Sequence, residues 1–378
     1  MAARVRVGIV GATVTPGGSG WGANAHVPAL NALPDYELKA VCTAHAETAR
    51  ASAAAFGAEL AFHNFDDMVT HPDVDLVAVV VRVPGHHRLV VRALEAGKAV
   101  FCEWPLGATL AEAETMANLA SARRLRTAVG LQARSDPTLT YARELVQQGY
   151  VGEVSSVNVS SVGQAVTQRG EGRIWQSSRK NGANTLTIAA GHAIDAVCFV
   201  VGEIDEVSAR LATRISEWHN TDTGETVPVD SPDWISLSGR LARGAEVSFL
   251  VATVPSSPSG NRFEIYGRDG ALVISGGSSN SGPNQLFGAR GKEPLTAMEP
   301  PERFTLVPDG TPAGAPRNVA QAYARLAAAA SAGEHFEPDF AHAVKRHTLI
   351  EAIERSSAER RSVRVQDVRP VGARGAGR

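Results

Sequence analysis

The chain has 378 residues, 44% of them hydrophobic and 20% charged, the composition of an ordinary soluble globular protein with about two domains. Its formal net charge of -2 and its scattered basic residues give no electrostatic basis for binding nucleic acid. No apolar run approaches the roughly 18 residues that suggest a membrane span, and the N-terminus lacks a signal-peptide pattern, so we expect a cytoplasmic protein with no membrane contact.

The three cysteines, Cys42, Cys102 and Cys198, each lie in an apolar segment and are far apart in the chain. This spacing predicts neither a disulfide framework nor a thiolate metal site, and it fits a reducing cytoplasm. We therefore expect no metal centre.

The first third of the chain alternates predicted strands and helices. The run RVRVGIVGA predicts a strand that enters a glycine-rich loop, and HVPALNAL predicts the following helix. Further strands are predicted at YELKAVCT, VDLVAVVV, AVFCEW and RTAVGLQ, with helices at AETARASAAAFG, HRLVVRALEAGK and TLAEAETMANLASARR. Because helices separate the strands and VDLVAVVV is apolar on both faces, we predict a doubly wound parallel sheet of the Rossmann type over residues 1–133.

The pattern changes after residue 133. TYARELVQQGYVGEV predicts a helix and turn, and TLTIAAGHAIDAVCFVVG predicts an apolar helix. Consecutive strands are then predicted at EVSARLATR, WISLSGRL, AEVSFLVATV and NRFEIYGRDGALVIS, the last folding as a hairpin around Asp269. Two helices close the chain. We predict an α+β domain over 134–368 with a large, mostly antiparallel open sheet, and a disordered tail at 369–378.

The glycine-rich loop after the first strand is a candidate phosphate-binding loop. Its glycines do not follow the G-x-G-x-x-G spacing, so the alternative of a flexible surface turn stays open. Its position between a strand and a helix nevertheless favours a site where the backbone approaches a pyrophosphate. The candidate cofactor-binding residues here are Gly11, Gly20, Trp21 and Gly22.

The end of the second strand bears on the choice of cofactor. A fold specific for NAD normally offers an acidic residue here to the ribose 2′-hydroxyl, but this chain has Thr43, with His45 and Arg50 nearby. A hydroxyl with two basic side chains suits a 2′-phosphate, so we expect NADP(H) in preference to NAD(H). The alternative is that Thr43 caps the following helix.

Several segments together resemble one family. They are GWGANAHVPAL, HHRLVVRALEAGKAVFCEWPLG, the stretch that begins VGLQARSDP, GHAIDAV, FEIYGRDGALVI and HTLIEAIERSS. In this order they resemble the Gfo/Idh/MocA oxidoreductases, and E-W-P and GLQAR resemble the branch that contains the galactose-pathway repressor. The resemblance implies a nicotinamide cofactor, hydride transfer to or from sugars, cyclitols or related carbonyl compounds, and a homodimer or homotetramer formed through the C-terminal sheet.

The resemblance places two cofactor-side residues in the stretch FCEWPLG. In the family pattern E-K-P the glutamate lies beside the nicotinamide ribose and the lysine assists the proton; here Glu103 and Pro105 match, but Trp104 replaces the lysine. An indole N–H donates a hydrogen bond but carries no titrating proton, so Trp104 is expected to wall a pocket or stack on a substrate. The alternative for Glu103 is a carboxylate satisfied by nearby backbone N–H groups.

A second pattern lies on the predicted helix TIAAGHAID. Ile188, His192 and Asp195 fall on one helical face, where the family has an Asp, a catalytic His and a later Asp. His192 is therefore the expected acid or base and a substrate contact, and Asp195 is expected to hold its tautomer. Ile188 removes the first carboxylate. The alternative is a core histidine bonded to a backbone carbonyl.

Four residues at strand ends are further candidates. Pro84 and His86 match a family turn under the nicotinamide, with altered spacing. Gln132 and Arg134 follow a strand that is expected to reach the cleft, so they are expected to contact cofactor or substrate.

Two more candidates precede the helix of His192. Trp175 is expected to line the substrate pocket, with a core position as the alternative. Lys180 is a possible substitute for the missing lysine, with a solvated loop charge as the alternative, in which case Asn181 or Asn184 caps the helix.

These residues predict an NADP(H)-dependent oxidoreductase acting on a small carbonyl, sugar-like or imine substrate. An imine can arrive already protonated, so its reduction depends less on the proton that the family's lysine would supply. Two alternatives stay open: a dinucleotide-binding regulator without turnover, and an NAD-dependent lyase or glycosidase in which the hydride leaves and returns.

Overall fold

A computed structural model describes residues 4–15, 20–165, 167–277 and 282–368, so the tail predicted at 369–378 lies outside the described residues. The chain divides into two compact units. The first comprises Met1–Gln132 and Leu306–Val344, and the second comprises Ala133–Thr305 and Lys345–Arg378. Residues 306–344, predicted as part of the second domain, belong instead to the first unit.

The first unit contains a six-stranded parallel sheet with helices in the connections, as predicted. Its strand order is β3-β2-β1-β4-β5-β6, which reverses direction between β1 and β4. The strands are β1 Val5–Val10, β2 Tyr36–Cys42, β3 Leu60–Phe62, β4 Leu76–Val79, β5 Ala99–Glu103 and β6 Thr127–Gly130. The helices are α1 Val27–Ala32, α2 Ala46–Phe56, α3 Phe65–Thr70, α4 His86–Glu95 and α5 Leu110–Arg123.

The central strands of this sheet lack exposed faces. All four residues of β4 are buried, which explains why its sequence is apolar throughout instead of alternating. Ligands of open parallel sheets bind beyond the carboxyl ends of the strands at the point where the order reverses. Here that point is formed by the segments after Val10 and Val79.

The second unit is built on a nine-stranded sheet of order β17-β16-β15-β14-β7-β13-β12-β9-β18. All its strand pairs are antiparallel except β7 with β13, which confirms the predicted mostly antiparallel sheet. These strands are β7 Val154–Gln164, β9 Ile204–Ala212, β12 Trp234–Leu241, β13 Glu246–Val254, β14 Gly260–Gly267, β15 Gly270–Gly276, β16 Asn284–Arg290, β17 Thr296–Met298 and β18 Val363–Arg364. A small sheet of β8 Gln168–Arg169, β10 Glu217–Asn220 and β11 Thr226–Pro228 was not predicted.

Three helices of the second unit precede β9. They are α6 Pro137–Gln147, the short α7 Glu171–Ile174 and α8 Gly191–Val201. All eleven residues of α8 are buried. By length and composition alone the helical segment Arg179–Val201 would suit a membrane span, but 78% of its apolar window is buried inside the protein, as in the core helix of a globular domain.

Two long helices follow β17. Helix α9, Ala315–Ala332, contacts α1 and carries Tyr323 into the core of the first unit. Helix α10, Phe340–Glu359, contains the point at which the two units divide. The cysteines Cys42, Cys102 and Cys198 are all free and buried, and burial raises the pKa of Cys42 to about 11.

Candidate functional site

The loop after β1 is tightly packed at the point where the strand order reverses. Gly11 has φ +100°, and a Cβ there would lie 2.1 Å from the carbonyl oxygen of Val80. A Cβ on Gly22 would lie 2.7 Å from the carbonyl oxygen of Gly11, whereas one on Gly20 would meet nothing closer than 3.5 Å. Gly11 and Gly22 therefore fix the backbone between the strand and the helix, and Gly20 leaves open space.

Trp21 lies beside these glycines with an unused donor. Its indole Nε1 is buried and has no hydrogen-bond partner among the described residues, which exclude 16–19. Because buried donors are normally satisfied, this N–H takes a partner outside the described residues. Together with the packed glycines, this donor makes the loop a fit for a bound phosphate-containing ligand.

A π-helical turn, Gly22–His26, connects this loop to α1 and brings His26 into the core, where its exposure is 0%. His26 Nε2 lies 2.8 Å from Glu103 Oε1, and Nδ1 lies 3.0 Å from the hydroxyl of Tyr323. A neutral ring satisfies both contacts if Nε2–H donates to the carboxylate and Nδ1 accepts from the hydroxyl. π-turns frequently mark functional sites. The segment GWGANAHVPAL carries part of the family resemblance, but His26 within it was not predicted as a site residue.

Glu103 ends β5 and is held by side chains. Gln132 Nε2 donates to Glu103 Oε1 at 2.8 Å and to Oε2 at 3.0 Å, in addition to the His26 contact. A Cβ at Gly130 would lie only 2.5 Å from Oε1, so glycine is required beside the carboxylate. Gln132 is 1% exposed and directs its amide nitrogen at Glu103, and its expected contact with cofactor or substrate stays a prediction.

The turn after Glu103 is fixed by His86. The bond between Trp104 and Pro105 is cis, and Trp104, expected to wall a pocket or stack on substrate, is 5% exposed. His86 Nδ1 lies 2.9 Å from the Pro105 carbonyl oxygen and Nε2 lies 3.0 Å from that of Val81. The buried ring of His86 therefore contacts two loops, and burial lowers its pKa, while its expected contact with the cofactor stays a prediction.

Residues at the other strand ends stay accessible. Pro84 is exposed in the turn Val83–Gly85 that follows β4. At the end of β2, Thr43 Oγ1 donates to the His45 carbonyl oxygen at 3.0 Å and lies 2.7 Å from Thr48 Oγ1. His45 immediately precedes α2, so Thr43 supports the turn before the helix. The side chains of His45 and Arg50 are exposed.

In the second unit, a π-helical turn, Leu186–Ala190, leads directly into α8 and His192. Asn184 Oδ1 accepts from the backbone N–H groups of Leu186 at 3.0 Å and Thr187 at 3.2 Å, which confirms Asn184 as the helix cap. His192 is buried near the start of α8.

Asp195 has a partner that the sequence analysis did not assign. Arg134 Nε donates to Asp195 Oδ2 at 2.8 Å and Nη2 to Oδ1 at 3.1 Å, and Arg346 Nε lies 3.6 Å from Oδ1. Asp195 is 0% exposed, and both arginines are buried. Arg134 directs two donors at Asp195, and its expected contact with cofactor or substrate stays a prediction. Orientation of His192 by Asp195 stays a prediction.

The remaining candidates lie between β8 and α8. Trp175 is half-buried, and its Nε1 donates to the Gly172 carbonyl oxygen at 3.1 Å. Lys180 is exposed in the turn Arg179–Asn181, as in the alternative of a solvated charge. Across the ranges that the structure describes, no group of three or more His, Cys, Asp or Glu side chains is placed to hold a metal ion.

Two different families of known proteins match the N-terminal and the C-terminal parts of the chain. Residues 5–131 match the family described as "Oxidoreductase family, NAD-binding Rossmann fold", and residues 137–276 match the C-terminal domain of Gal80p. The dehydrogenase aclE of Aspergillus oryzae is 32% identical over 290 residues, which cover 74% of this chain and 78% of that protein.

Two further relatives have solved structures. The galactose/lactose metabolism regulatory protein GAL80 of Saccharomyces cerevisiae is 26% identical in an alignment that covers 73% of this chain and 67% of that protein. The solved structure of a super-repressor mutant of Gal80p from the same yeast matches with a TM-score of 0.85 at 22% identity, covering 97% of this chain and 99% of that chain. Levoglucosan dehydrogenase of Pseudarthrobacter phenanthrenivorans is 27% identical over 68% and 72%. The solved structure of a levoglucosan dehydrogenase in complex with NADH and L-sorbose matches with a TM-score of 0.82 at 23% identity, covering 96% of this chain and 99% of that chain.

Proposed function

Because the chain belongs to the Gfo/Idh/MocA oxidoreductase family and carries a Gal80p-type C-terminal domain, we propose that it transfers hydride between NADP(H) and a small carbonyl, sugar-like or imine substrate. The observation that carries the proposal is the carboxylate of Glu103, fixed at the carboxyl edge of the Rossmann sheet by His26 and Gln132. Three directed hydrogen bonds give this carboxylate one position, as a group that orients a ribose requires.

The residues of the first unit fit a nicotinamide dinucleotide. The packed glycines Gly11 and Gly22 and the unused donor of Trp21 would hold its phosphates, and Glu103 would bind its nicotinamide ribose. When bound, the nicotinamide supplies or accepts the hydride. His192 would give or take the proton, and because indole has no titrating proton, Trp104 would serve only to exclude water.

A substrate screen tests this proposal. The purified protein is incubated with NADPH or NADH and a panel of ketones, keto-sugars and cyclic imines, while the absorbance of the reduced nicotinamide is followed. Substrate-dependent loss of that absorbance supports an oxidoreductase. Alcohol oxidation without turnover of any imine would rule out the imine class.

The preference for NADP(H) is proposed from the end of β2, where Arg50 is exposed and no acidic residue stands next to Thr43. Replacing Arg50 with Ala is expected to raise the Kd of NADPH about tenfold, the loss of ~1.4 kcal/mol from a charge-assisted contact, and to leave the Kd of NADH within about twofold. Fluorescence titration with each cofactor measures both constants. Arg88→Ala, an exposed arginine on α4, is the matched control, and equal effects on both cofactors would contradict the assignment.

A regulator without turnover is the second candidate, favoured by the match of residues 137–276 to the Gal80p C-terminal domain. It predicts saturable cofactor binding with no substrate-dependent change in nicotinamide absorbance. The screen described above separates it from the oxidoreductase.

We also propose a homodimer or homotetramer formed through the nine-stranded sheet. Side chains of β12 alternate between the two faces of this sheet. Ile235 and Leu237 are buried on one face, and the small polar side chains of Ser236 and Ser238 are exposed on the other. Such small side chains permit close approach of a second sheet. Replacing the half-buried Leu250, which lines the same face, with Arg is expected to convert the oligomer to monomer, measured by light scattering; an unchanged mass would contradict this interface.

A further inference from the structure

A cavity of about 210 Å³ lies within the second unit, beside the helical segment that carries His192. Ile188, one turn before His192, lines it, together with Arg169, Arg173, Gln176 and Trp218. Since about 10–15 Å³ of such volume already holds one water, the cavity has room for a small polar fragment. The cavity was not anticipated from the sequence, which singled out none of its basic residues.

Two arginines line this cavity, the half-buried Arg169 and the exposed Arg173. Arg169 stacks its guanidinium carbon 4.4 Å from the ring centroid of Trp218, and its Nη1 donates to Gln176 Oε1 at 2.9 Å. Arg169 Nε is buried and has no hydrogen-bond partner in the described parts of the chain. Burial, and then the neighbouring charge of Arg173, lowers the pKa of Arg169. The two cations therefore repel one another, and no described carboxylate pairs with either.

Asp233 is the acidic residue among the described lining residues, and both of its carboxylate oxygens already accept hydrogen bonds. Its Oδ1 accepts from the backbone N–H of Arg214 and its Oδ2 from that of Ile215, both at 2.7 Å. The lining therefore carries two positive charges against one negative charge that backbone donors stabilise. This balance favours an anion.

Ile188 explains why the cavity is positive. The family pattern places an aspartate at this position, and a carboxylate here would neutralise an arginine or repel an anionic ligand. Its replacement by an apolar side chain leaves the arginines with no counter-charge on that wall.

We propose that the substrate of this protein carries an oxyanion, a carboxylate in the first instance, which Arg169 and Arg173 bind in this cavity. The inference rests on the proposed oxidoreductase function, since it assigns the cavity to the substrate. Stacking on Trp218 fixes the plane of the Arg169 guanidinium, which prepares its unused Nε–H for a directed bond to a carboxylate oxygen. The neutral sugar substrates typical of the family would leave these charges unpaired.

Calorimetric titration with three matched compounds tests the proposal: glucuronate, glucose and glucose 6-phosphate. Glucuronate is expected to bind at least about tenfold more tightly than glucose, and Arg169→Gln and Arg173→Gln are each expected to weaken it by about tenfold, the effect of one charge-assisted bond. Tighter binding of glucose 6-phosphate, with the same dependence on the arginines, would assign the oxyanion to a phosphoester. Ile188→Asp is expected to weaken the acids while leaving glucose unchanged.

Arg243→Gln, which removes an exposed arginine from the turn between β12 and β13, is the matched control and is expected to leave all three titrations unchanged. Equal binding of acids and glucose, failure of the acids to bind, or insensitivity to both arginine variants would overturn the proposal. These titrations need no turnover. Acid-selective binding without hydride transfer would therefore refute only the oxidoreductase, whereas turnover of neutral substrates with a KM unaffected by the arginine variants would refute only the anion site.

Discussion

Replacing Arg134 with Ala is expected to lower the free energy of unfolding by about 3–5 kcal/mol, because it leaves a buried carboxylate without its bidentate partner. Asp195 is fully buried and both of its oxygens accept hydrogen bonds from Arg134. Arg346 lies at 3.6 Å from one oxygen and donates also to Glu203, so it compensates only in part. Urea unfolding followed by circular dichroism measures the loss.

The matched control is Arg303→Ala. Arg303 also donates to a carboxylate, Glu144 Oε1 at 2.6 Å, but its side chain is 58% exposed. We expect that variant to cost less than about 1 kcal/mol, since water screens the pair and replaces its partner. A similar loss in the two variants would show that burial of the Asp195 pair is not what stabilises the second unit.

The ion pair between Arg134 and Asp195 also affects how activity measurements on Asp195 variants are to be interpreted. An Asp195→Asn variant would lose rate through unfolding even if Asp195 never touches His192, because two buried arginines would lose their shared counter-charge. A role in orienting His192 therefore has to be measured as a change in the pH profile of kcat, under conditions where the variant is demonstrably folded.

Replacing His192 with Ala is expected to lower kcat by about 10²–10⁴-fold, the usual contribution of a positioned acid or base, while the Kd of the cofactor stays unchanged. The reason is that His192 lies on α8 of the second unit, whereas the glycine-rich loop and Glu103 belong to the first. Steady-state kinetics with the substrate found in the screen, together with cofactor titration, separates the two effects.

His335→Ala provides the control for His192, because His335 is 73% exposed and pairs only with Asp339 among the described contacts. Its kcat is expected to equal that of the unmodified protein. If His192→Ala retains full kcat, the proton comes from another group, and the role assigned to His192 is wrong.

The alternation of predicted strands and helices predicted the parallel sheet, and the fully apolar strand β4 marked its buried centre. The short elements β3 and α3 were missed, since three residues in Leu60–Phe62 and six in Phe65–Thr70 are too few for a period to show. The return of 306–344 to the first unit was also missed. Periodicity reports which face of α9 is apolar but not which core that face joins.

In the candidate site, too, local motifs could be predicted from the sequence, but contacts between distant residues could not. Family resemblance proposed Glu103 and His192, because those positions lie in local motifs. It did not identify His26 as a partner of Glu103, or Tyr323 as the second partner of His26, since these residues are far apart in sequence and only folding brings them together. The protein partners of His86, Gln132 and Arg134 were not predicted either, because the position of a residue at the end of a strand does not give the direction of its side chain.

The most direct test is a calorimetric titration of the purified protein with NADPH and, separately, NADH. A dinucleotide held at the carboxyl edge of the first unit's sheet predicts saturable binding at one site per chain, tighter for NADPH and weakened by Glu103→Gln, which removes the fixed charge while keeping the side chain's shape. If neither coenzyme binds, or if Glu103→Gln leaves both affinities unchanged, the proposed cofactor site is contradicted.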